Sequence, residues 1–263
     1  MDSMLVFDRL AVRRHRDRAA KTVHRVADVL RDAAERLVDR LDDTNRRFVD
    51  ALDVGGRGVV APLLRERGMR VVSCDLSPAM AALSGGPCLA ADEECLPFAR
   101  ASFDLIVASL SLHWINDLPG ALLQLRQALR PEGLLLASLP ALGTLSELRT
   151  ALTEAEAELV GGVSPRVSPF PELRDCAHLL QRAGFSVPVA DLEDIRLLYA
   201  DPFALLTDLR AAGETNAIRE RSRSSPVRAL FPAALARLPM DGERFGVSLR
   251  MAVMTGWAPA DGA

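Results

Sequence analysis

Val49-Asp50-Ala51-Leu52-Asp53-Val54 is a short, mainly apolar run, and together with the glycine-rich stretch behind it restricts the fold more than any other part of the chain. Gly55-Gly56-Arg57-Gly58 breaks the run, Val59 to Arg67 has helical spacing, and Gly68 closes that helix. Arg70-Val71-Val72-Ser73-Cys74-Asp75 is then a second run of the same kind. Short apolar strands separated by a helix are buried on both faces, which a parallel sheet covered by helices provides. Glycines at a strand end let the backbone approach a ligand closely. Asp75, 22 positions after Asp53, can accept hydrogen bonds from a ribose diol. The ligand implied is an adenosine-type cofactor. The loop taken alone also reads as a plain strand-to-helix turn, because G-x-G-x-x-G is absent and Arg57 would crowd a pyrophosphate.

The alternation continues. Ser77-Pro78 opens a helix with Ser77 as N-cap, and Ala91 ends a short third strand. Phe103 to Leu112 is a strand, Pro119 to Leu129 a helix, and Leu134 to Leu139 a strand entered through Pro131-Glu132-Gly133. The class is α/β, with a doubly wound, mainly parallel sheet. Right-handed crossovers place the strand-to-helix loops on one edge, where a ligand binds. Upstream, Val23, Val26, Leu30, Ala33, Leu37 and Leu41 form one apolar face of a helix over Lys21–Leu41. Downstream, helices are expected over Leu145–Val160, Pro171–Gly184 and Asp201–Gly213. Ser186–Tyr199 and Arg244–Trp257 read as strands. The expected segments are a basic helical region (1–45), a cofactor-binding core (46–140), a helical insertion or lid (141–170) and a C-terminal part that completes the sheet (171–263).

Composition excludes several mechanisms. Lys21 is the only lysine beside 31 arginines, and Tyr199 is the only tyrosine. Lys21 follows Ala20, so no P-loop exists, and no Tyr/Lys reductase pair can be spaced from Tyr199 and Lys21. A net charge of -3 does not suggest a nucleic-acid binder. Cys74, Cys88, Cys95 and Cys176 form no Cys-x-x-Cys pair, so no metal site is expected. The apolar stretches are too short to span a bilayer. Arg9–Arg25 carries seven positive charges and one negative, and reads as part of the mature protein rather than a presequence. A cytoplasmic location with free thiols is the expectation.

Asp53, Asp75 and the Ala91-Asp92-Glu93-Glu94 stretch, followed by Phe103–Ser109, together resemble the class I S-adenosylmethionine-dependent methyltransferases, a Rossmann-like fold. The resemblance implies that Asp53 and Gly55, Gly56 and Gly58 lie near the methionine end of the cofactor. It places Asp75 and Leu76 at the ribose, Asp92 and Glu93 at the adenine, and Ser109 beside the transferred methyl. Phe7-Asp8-Arg9, Arg13 to Ala20, Ser109 to Pro119, Thr144 to Arg149, Gly161 to Phe170 and Asp208 to Ala217 are similar to one subgroup. It joins the malonyl-carrier-protein methyltransferases of biotin synthesis to mitochondrial complex I assembly factors described as arginine hydroxylases. The Ser-Leu-His-Trp and Gly-Gly-Val-Ser-Pro-Arg stretches look closer to the second branch.

The resemblance implies three possible functions. One is methyl transfer to a carboxylate or protein acceptor such as an acyl carrier protein. The second is arginine hydroxylation of a complex I subunit. The third is a non-enzymatic assembly chaperone. The third is favoured by the glycine loop, which is one residue shorter than the family's Asp-x-Gly-Cys-Gly-x-Gly. Ala141-Leu142-Gly143 also stands where related chains carry Gly-Gly-Asp. His113 is the candidate base, or else caps a turn, and Trp114 either walls the substrate side or packs the core. Arg149 and Arg166 are either carboxylate clamps or structural ion-pair partners. The N-terminal arginines form a lid, grip an acidic partner, or are a solvated helix face.

Overall fold

The structure, a computed structural model, describes residues 5–260. Residues 1–4 and 261–263, the outer ends of the first and last expected segments, lie outside the described residues. The chain opens with α1 (Arg9–Ala19), capped by the Asp8 side chain on the Ala11 amide. The helix expected over Lys21–Leu41 is broken into a 3-10 turn at Val23–Val26, α2 (Ala27–Val38) and a second 3-10 turn at Asp39–Asp43. Thr22 (φ -128°) and Val26 (φ -116°, ψ 16°) leave helical geometry, and β-branched side chains tolerate that readily. The apolar face nevertheless stays continuous and buried from Val23 to Leu41.

Strand–helix units come next: β1 (Asp50–Val54), α3 (Val60–Glu66), β2 (Arg70–Asp75), α4 (Pro78–Ala81), β3 (Cys88–Ala90), β4 (Phe103–Ser109), α5 (Leu118–Ala128) and β5 (Leu129–Pro140). β4 ends at Ser109, three residues short of the expected limit. Leu110 turns to φ 48° while its amide bonds the Ser138 carbonyl. β5 begins at Leu129, ahead of the expected Leu134, since Phe103 already pairs with Leu129 across an irregular register. The rest comprises α6 (Ser146–Val160), α7 (Leu173–Arg182), β6 (Ser186–Tyr199), α8 (Pro202–Ala212), α9 (Leu230–Leu235), β7 (Met240–Asp241) and β8 (Arg244–Trp257).

One sheet carries the order β3-β2-β1-β4-β5-β8-β6, with β7 on β8. β1 to β5 pair in parallel, and β8 inserts antiparallel between β5 and β6. Alternate strand residues feed opposite layers. Leu105 and Val107 pack with α2 and α3, whereas Ile106 and Ala108 pack with α5 and α7. Fully buried Leu105, Ile106 and Leu135 contribute roughly 1.5–3 kcal/mol each. A third cluster joins α6, α8 and α9 to Val247 and Leu197 at the far end of the long antiparallel strands. The order reverses between β1 and β4, so a crevice opens beyond their C-terminal ends.

Candidate functional site

Val54 passes into Gly55 at φ +66°, whose amide bonds the Cys74 carbonyl at 2.7 Å. A Cβ on Gly56 would stand 2.1 Å from Asp53 Oδ1, so the loop wraps closely around that carboxyl. Asp53 is 1% exposed, and its Oδ2 accepts from the Ser73 hydroxyl at 3.1 Å. Burial pushes the Asp53 carboxyl up to about 7, and the nearby charge of Asp75 adds to the rise. Arg57 adopts φ 50°, a strained position for a side chain larger than glycine's. That turn carries its guanidinium into the crevice, 5% exposed and paired with Glu214. Burial lowers the Arg57 pKa despite this partner.

Asp75 ends β2 with one oxygen on the Ser77 amide (2.7 Å) and the other 3.3 Å from Arg16 Nη1. Arg16, 1% exposed on α1, also reaches Glu93 Oε1 at 2.9 Å and the Ser111 carbonyl at 3.2 Å. A Cβ on Gly55 would fall 3.6 Å from Arg16 Nη1, so this guanidinium lies directly over the glycine loop. Burial works against the Arg16 charge, but Asp75 and Glu93 outweigh it and the pKa rises. Burial raises the Asp75 carboxyl despite the facing arginine. Arg9 completes the arrangement, donating to Asp92 and Glu93 and to the Trp114 carbonyl at 3.1 Å. α1 is anchored for this by the Asp8 amide on the Ala217 carbonyl (2.8 Å) and the Phe7 amide on Asn116 Oδ1 (2.8 Å). Leu76 packs against Phe7, Trp114 and Ile218, and Ser109 is buried at the end of β4.

His113 and Trp114 occupy a 3-10 turn beyond β4, both buried. His113 Nε2 lies 2.7 Å from Glu214 Oε2, and Trp114 Nε1 donates to the same oxygen at 2.7 Å. Burial opposes ionisation of Glu214, but the charges of His113 and Arg57 hold its carboxyl well below the usual range. Next to this cluster is a cavity of about 160 Å³ reaching to α6 and α8. Arg166 lines it and bonds Glu156, with Nε to Oε2 at 3.1 Å. Arg149 is exposed and donates instead to the Ser168 carbonyl at 2.7 Å, so the structure does not bring it to the cavity or to the glycine loop. Among the described residues no three His, Cys, Asp or Glu converge as a metal-ligand set.

Arg16 and Arg9 therefore bring the sequence-selected acceptors Asp75, Asp92 and Glu93 together, Gly55 lies under Arg16 and Gly56 against Asp53, whereas Gly58 faces Leu83 instead. Sequence reasoning gave no role to Arg16 as the partner of Asp75 or to Glu214 as the partner of His113. An acid pair facing an arginine-rich helix was the available signal for the first. For Glu214 no local signal exists, since its partners are 100 to 157 residues away. The carboxylates fit a nucleoside, one set for a diol and one for a ring amine. The space above them is held by Arg16, so the fit requires that side chain to move aside.

Residues 14–188 match the family described as a methyltransferase domain. The chain is 38% identical over 177 residues to "Arginine-hydroxylase NDUFAF5, mitochondrial" of Danio rerio, covering 66% of this chain and 55% of that protein. It is 35% identical over 253 residues to a malonyl-[acyl-carrier protein] O-methyltransferase of a Methylovorus species, covering 90% of this chain and 83% of that one. With the mouse arginine hydroxylase the match is 48% over 126 residues and spans 37% of the relative. The chain thus spans about half or less of the arginine-hydroxylase relatives it matches. The YcgJ protein of Bacillus has the same fold, at TM-score 0.58 and 12% identity over 86% of this chain and 98% of that one.

Proposed function

Since the chain belongs to the methyltransferase-domain family, whose cofactor is S-adenosylmethionine, we propose that it transfers a methyl group from that cofactor to an acceptor in the adjoining cavity. The observation that carries this reading is the shared crevice. A close-approach glycine loop, Asp75 and the Asp92–Glu93 pair stand at the ends of three neighbouring parallel strands, with a ligand-sized cavity beside them. Asp75 would hold the ribose hydroxyls, and Asp92 and Glu93 the adenine end. Asp53 and the Gly55–Gly58 loop would face the methionine end. The bound group supplies an electrophilic methyl. This chain's own work is to align the acceptor and exclude water. Arg16 would have to leave Asp75 for that carboxylate to hold the ribose. His113, held by Glu214, lines the cavity wall and would help position the acceptor.

Its acceptor would be an acyl carrier protein or a respiratory complex I subunit, and its location cytoplasmic. The relatives' names support the acceptors, and the location follows the bacterial O-methyltransferase relatives, since the arginine hydroxylases are named mitochondrial; no helix among the described residues is long and apolar enough to cross a membrane. A second reading draws on Arg16 and Arg57, which fill the groove over the loop. A chain that keeps the fold but closes its crevice with its own arginines would serve as an assembly chaperone. Calorimetric titration of S-adenosylhomocysteine into the wild type and Asp75→Ala separates the two. Heat with the wild type and at least a tenfold loss in the variant supports cofactor use, and no heat with either overturns it. Mass spectrometry of a carrier protein and of a complex I subunit after incubation then tells an added methyl from an added oxygen.

A further inference from the structure

We propose that β6 pairs antiparallel with β6 of a second copy of this chain, about a twofold axis at Ile195. β6 ends the sheet order, and among the described residues no strand covers its outer side. It is 14 residues long, and from Leu192 to Leu198 its residues alternate strictly between exposed and half-buried. A long edge strand of this kind is a template for another chain unless charge, proline or a bulge blocks it. Pro188 and the φ of 49° at Val187 block it at its start only.

The ladder with β8 fixes which backbone groups of β6 are free. The Leu145 amide donates to the Ser248 carbonyl and the Ala141 amide to the Arg250 carbonyl, both at 2.8 Å, so these two β8 residues point away from β6. Arg196 stands opposite Ser248 and Asp194 opposite Arg250. Residues opposite one another in an antiparallel ladder turn their N–H and C=O groups either both inward or both outward. Asp194 and Arg196, and by alternation Leu192 and Leu198, therefore present their backbone groups to the open edge.

The same four residues have the exposed side chains, and a twofold at Ile195 maps them onto one another. Leu192 then faces the copy's Leu198, and Asp194 the copy's Arg196. Each of these pairs exchanges two backbone hydrogen bonds. The paired stretch runs from Asp191 to Tyr199, where the strand ends, and leaves Pro188 outside. Arg250 takes Asp194 Oδ1 at 2.9 Å and leaves Oδ2 for the copy's arginine. Arg196 holds Glu147 through Nη1 at 2.6 Å, with Nη2 left for the copy's aspartate. Asp191 and Glu193 on the other face are neutralised by Arg40 and add no repulsion. Charge also selects this register. Moving the axis one residue, to Asp194 or to Arg196, sets aspartate against aspartate or arginine against arginine. Moving it half a residue sets free backbone groups opposite groups already bonded to β8.

Sedimentation of the full chain tests this. The wild type is expected to pass from one chain to two between about 1 μM and about 200 μM. Asp194→Lys and Arg196→Glu each set like charges across the axis and should raise the dissociation constant at least about tenfold. An equimolar mixture of the two variants restores opposite charges at both pairs, and should dimerise within about tenfold of the wild type. In the wild-type dimer, amide exchange at Leu192, Asp194, Arg196 and Leu198 should slow at least about tenfold relative to the dilute chain. Glu193, Ile195 and Leu197, already bonded to β8, should not change. A wild type that remains a single chain to about 200 μM overturns the proposal. So do variants that self-associate like the wild type, a mixture of folded variants that stays monomeric, or unchanged exchange at those four amides in the dimer.

Discussion

At the nucleoside end of the crevice Asp75, Asp92 and Glu93 stand among Arg9 and Arg16 with little apolar surface between them. At the acceptor end leucines form much of the wall, with Arg57 paired to Glu214 and Arg166 to Glu156. The two ends therefore select ligands by different physics. An ion pair can be exchanged for ligand hydrogen bonds where those bonds satisfy the carboxylates that the arginine leaves. A space walled largely by leucines has fewer polar groups to exchange, and it selects more by shape. The first end is thus gated by α1, and the second by its shape.

The largest expected effect breaks the ionic end. Arg16→Ala leaves Asp75 without its ion-pair partner and Glu93 with Arg9 alone, and should cost roughly 3–5 kcal/mol in denaturant unfolding. Among molecules that remain folded, S-adenosylhomocysteine affinity should rise, because the competing guanidinium is gone and the binding-competent fraction grows. A fall in affinity would make Arg16 a cofactor ligand instead of a competitor. Hydrogen exchange over α1 gives an independent readout, with protection expected to drop when the ligand binds to the wild type.

Asp53 gives the next largest effect, and it depends on pH. Its carboxyl sits at about 7 in the folded chain, above the ~3.9 of an exposed aspartate, so the folded state holds the proton more tightly. Its contribution to stability is complete below about pH 4 and is lost as pH rises through 7, with an upper size on the order of 2–4 kcal/mol. Unfolding free energies of the wild type and Asp53→Asn, measured from pH 4 to 8, should therefore draw together or cross in favour of the variant as pH rises. Parallel curves would mean that the glycine loop solvates the ionised carboxylate fully. A cationic ligand group at the methionine end should shift this window downward.

The parallel half of the sheet was legible because its signals are local. Apolar runs ending at Asp53 and Asp75, and the Ser77-Pro78 helix start, each state their structure within a few residues. The antiparallel strands β6 and β8 were also legible in extent, while their placement beside β5 rests on long-range pairing. The break at Val26 was hidden, since the apolar spacing continues across it. The crevice was legible in its acceptors and not in their partners. Nothing near Arg16 in the sequence indicates that its charge is spent on residues 59 and 77 positions away. Arg57 was visible as an intruder in the loop, but its turn toward Glu214 belongs to the tertiary fold.

Glu214 ties the two ends together, bonding Arg57 of the glycine loop and the His113–Trp114 turn of the cavity. Glu214→Gln keeps the shape and removes the charge that Arg57 needs. Its side chain is 21% exposed, which limits the expected loss to roughly 1–3 kcal/mol. If the two ends work separately, S-adenosylhomocysteine affinity should survive this change within about threefold while turnover falls with the loosened His113–Trp114 turn. Loss of both together would show one continuous polar site and erase the distinction between the two ends.

Arg149 supplies the smallest effect and the control for both ends. Its guanidinium is exposed on α6 and makes one bond, to the Ser168 carbonyl at 2.7 Å. A single charge-assisted bond at the surface is worth about 1 kcal/mol or less, so Arg149→Ala should lower the unfolding free energy by no more than that. The loop from Gly161 to Phe170 should loosen slightly, since Ser168 loses its tether while Arg166 keeps Glu156. Affinity for S-adenosylhomocysteine should stay within about twofold of wild type. A hundredfold loss of turnover with that affinity intact would instead put Arg149 on the acceptor in the reacting complex. The resting geometry gives it no such position, so α6 would then have to move before methyl transfer.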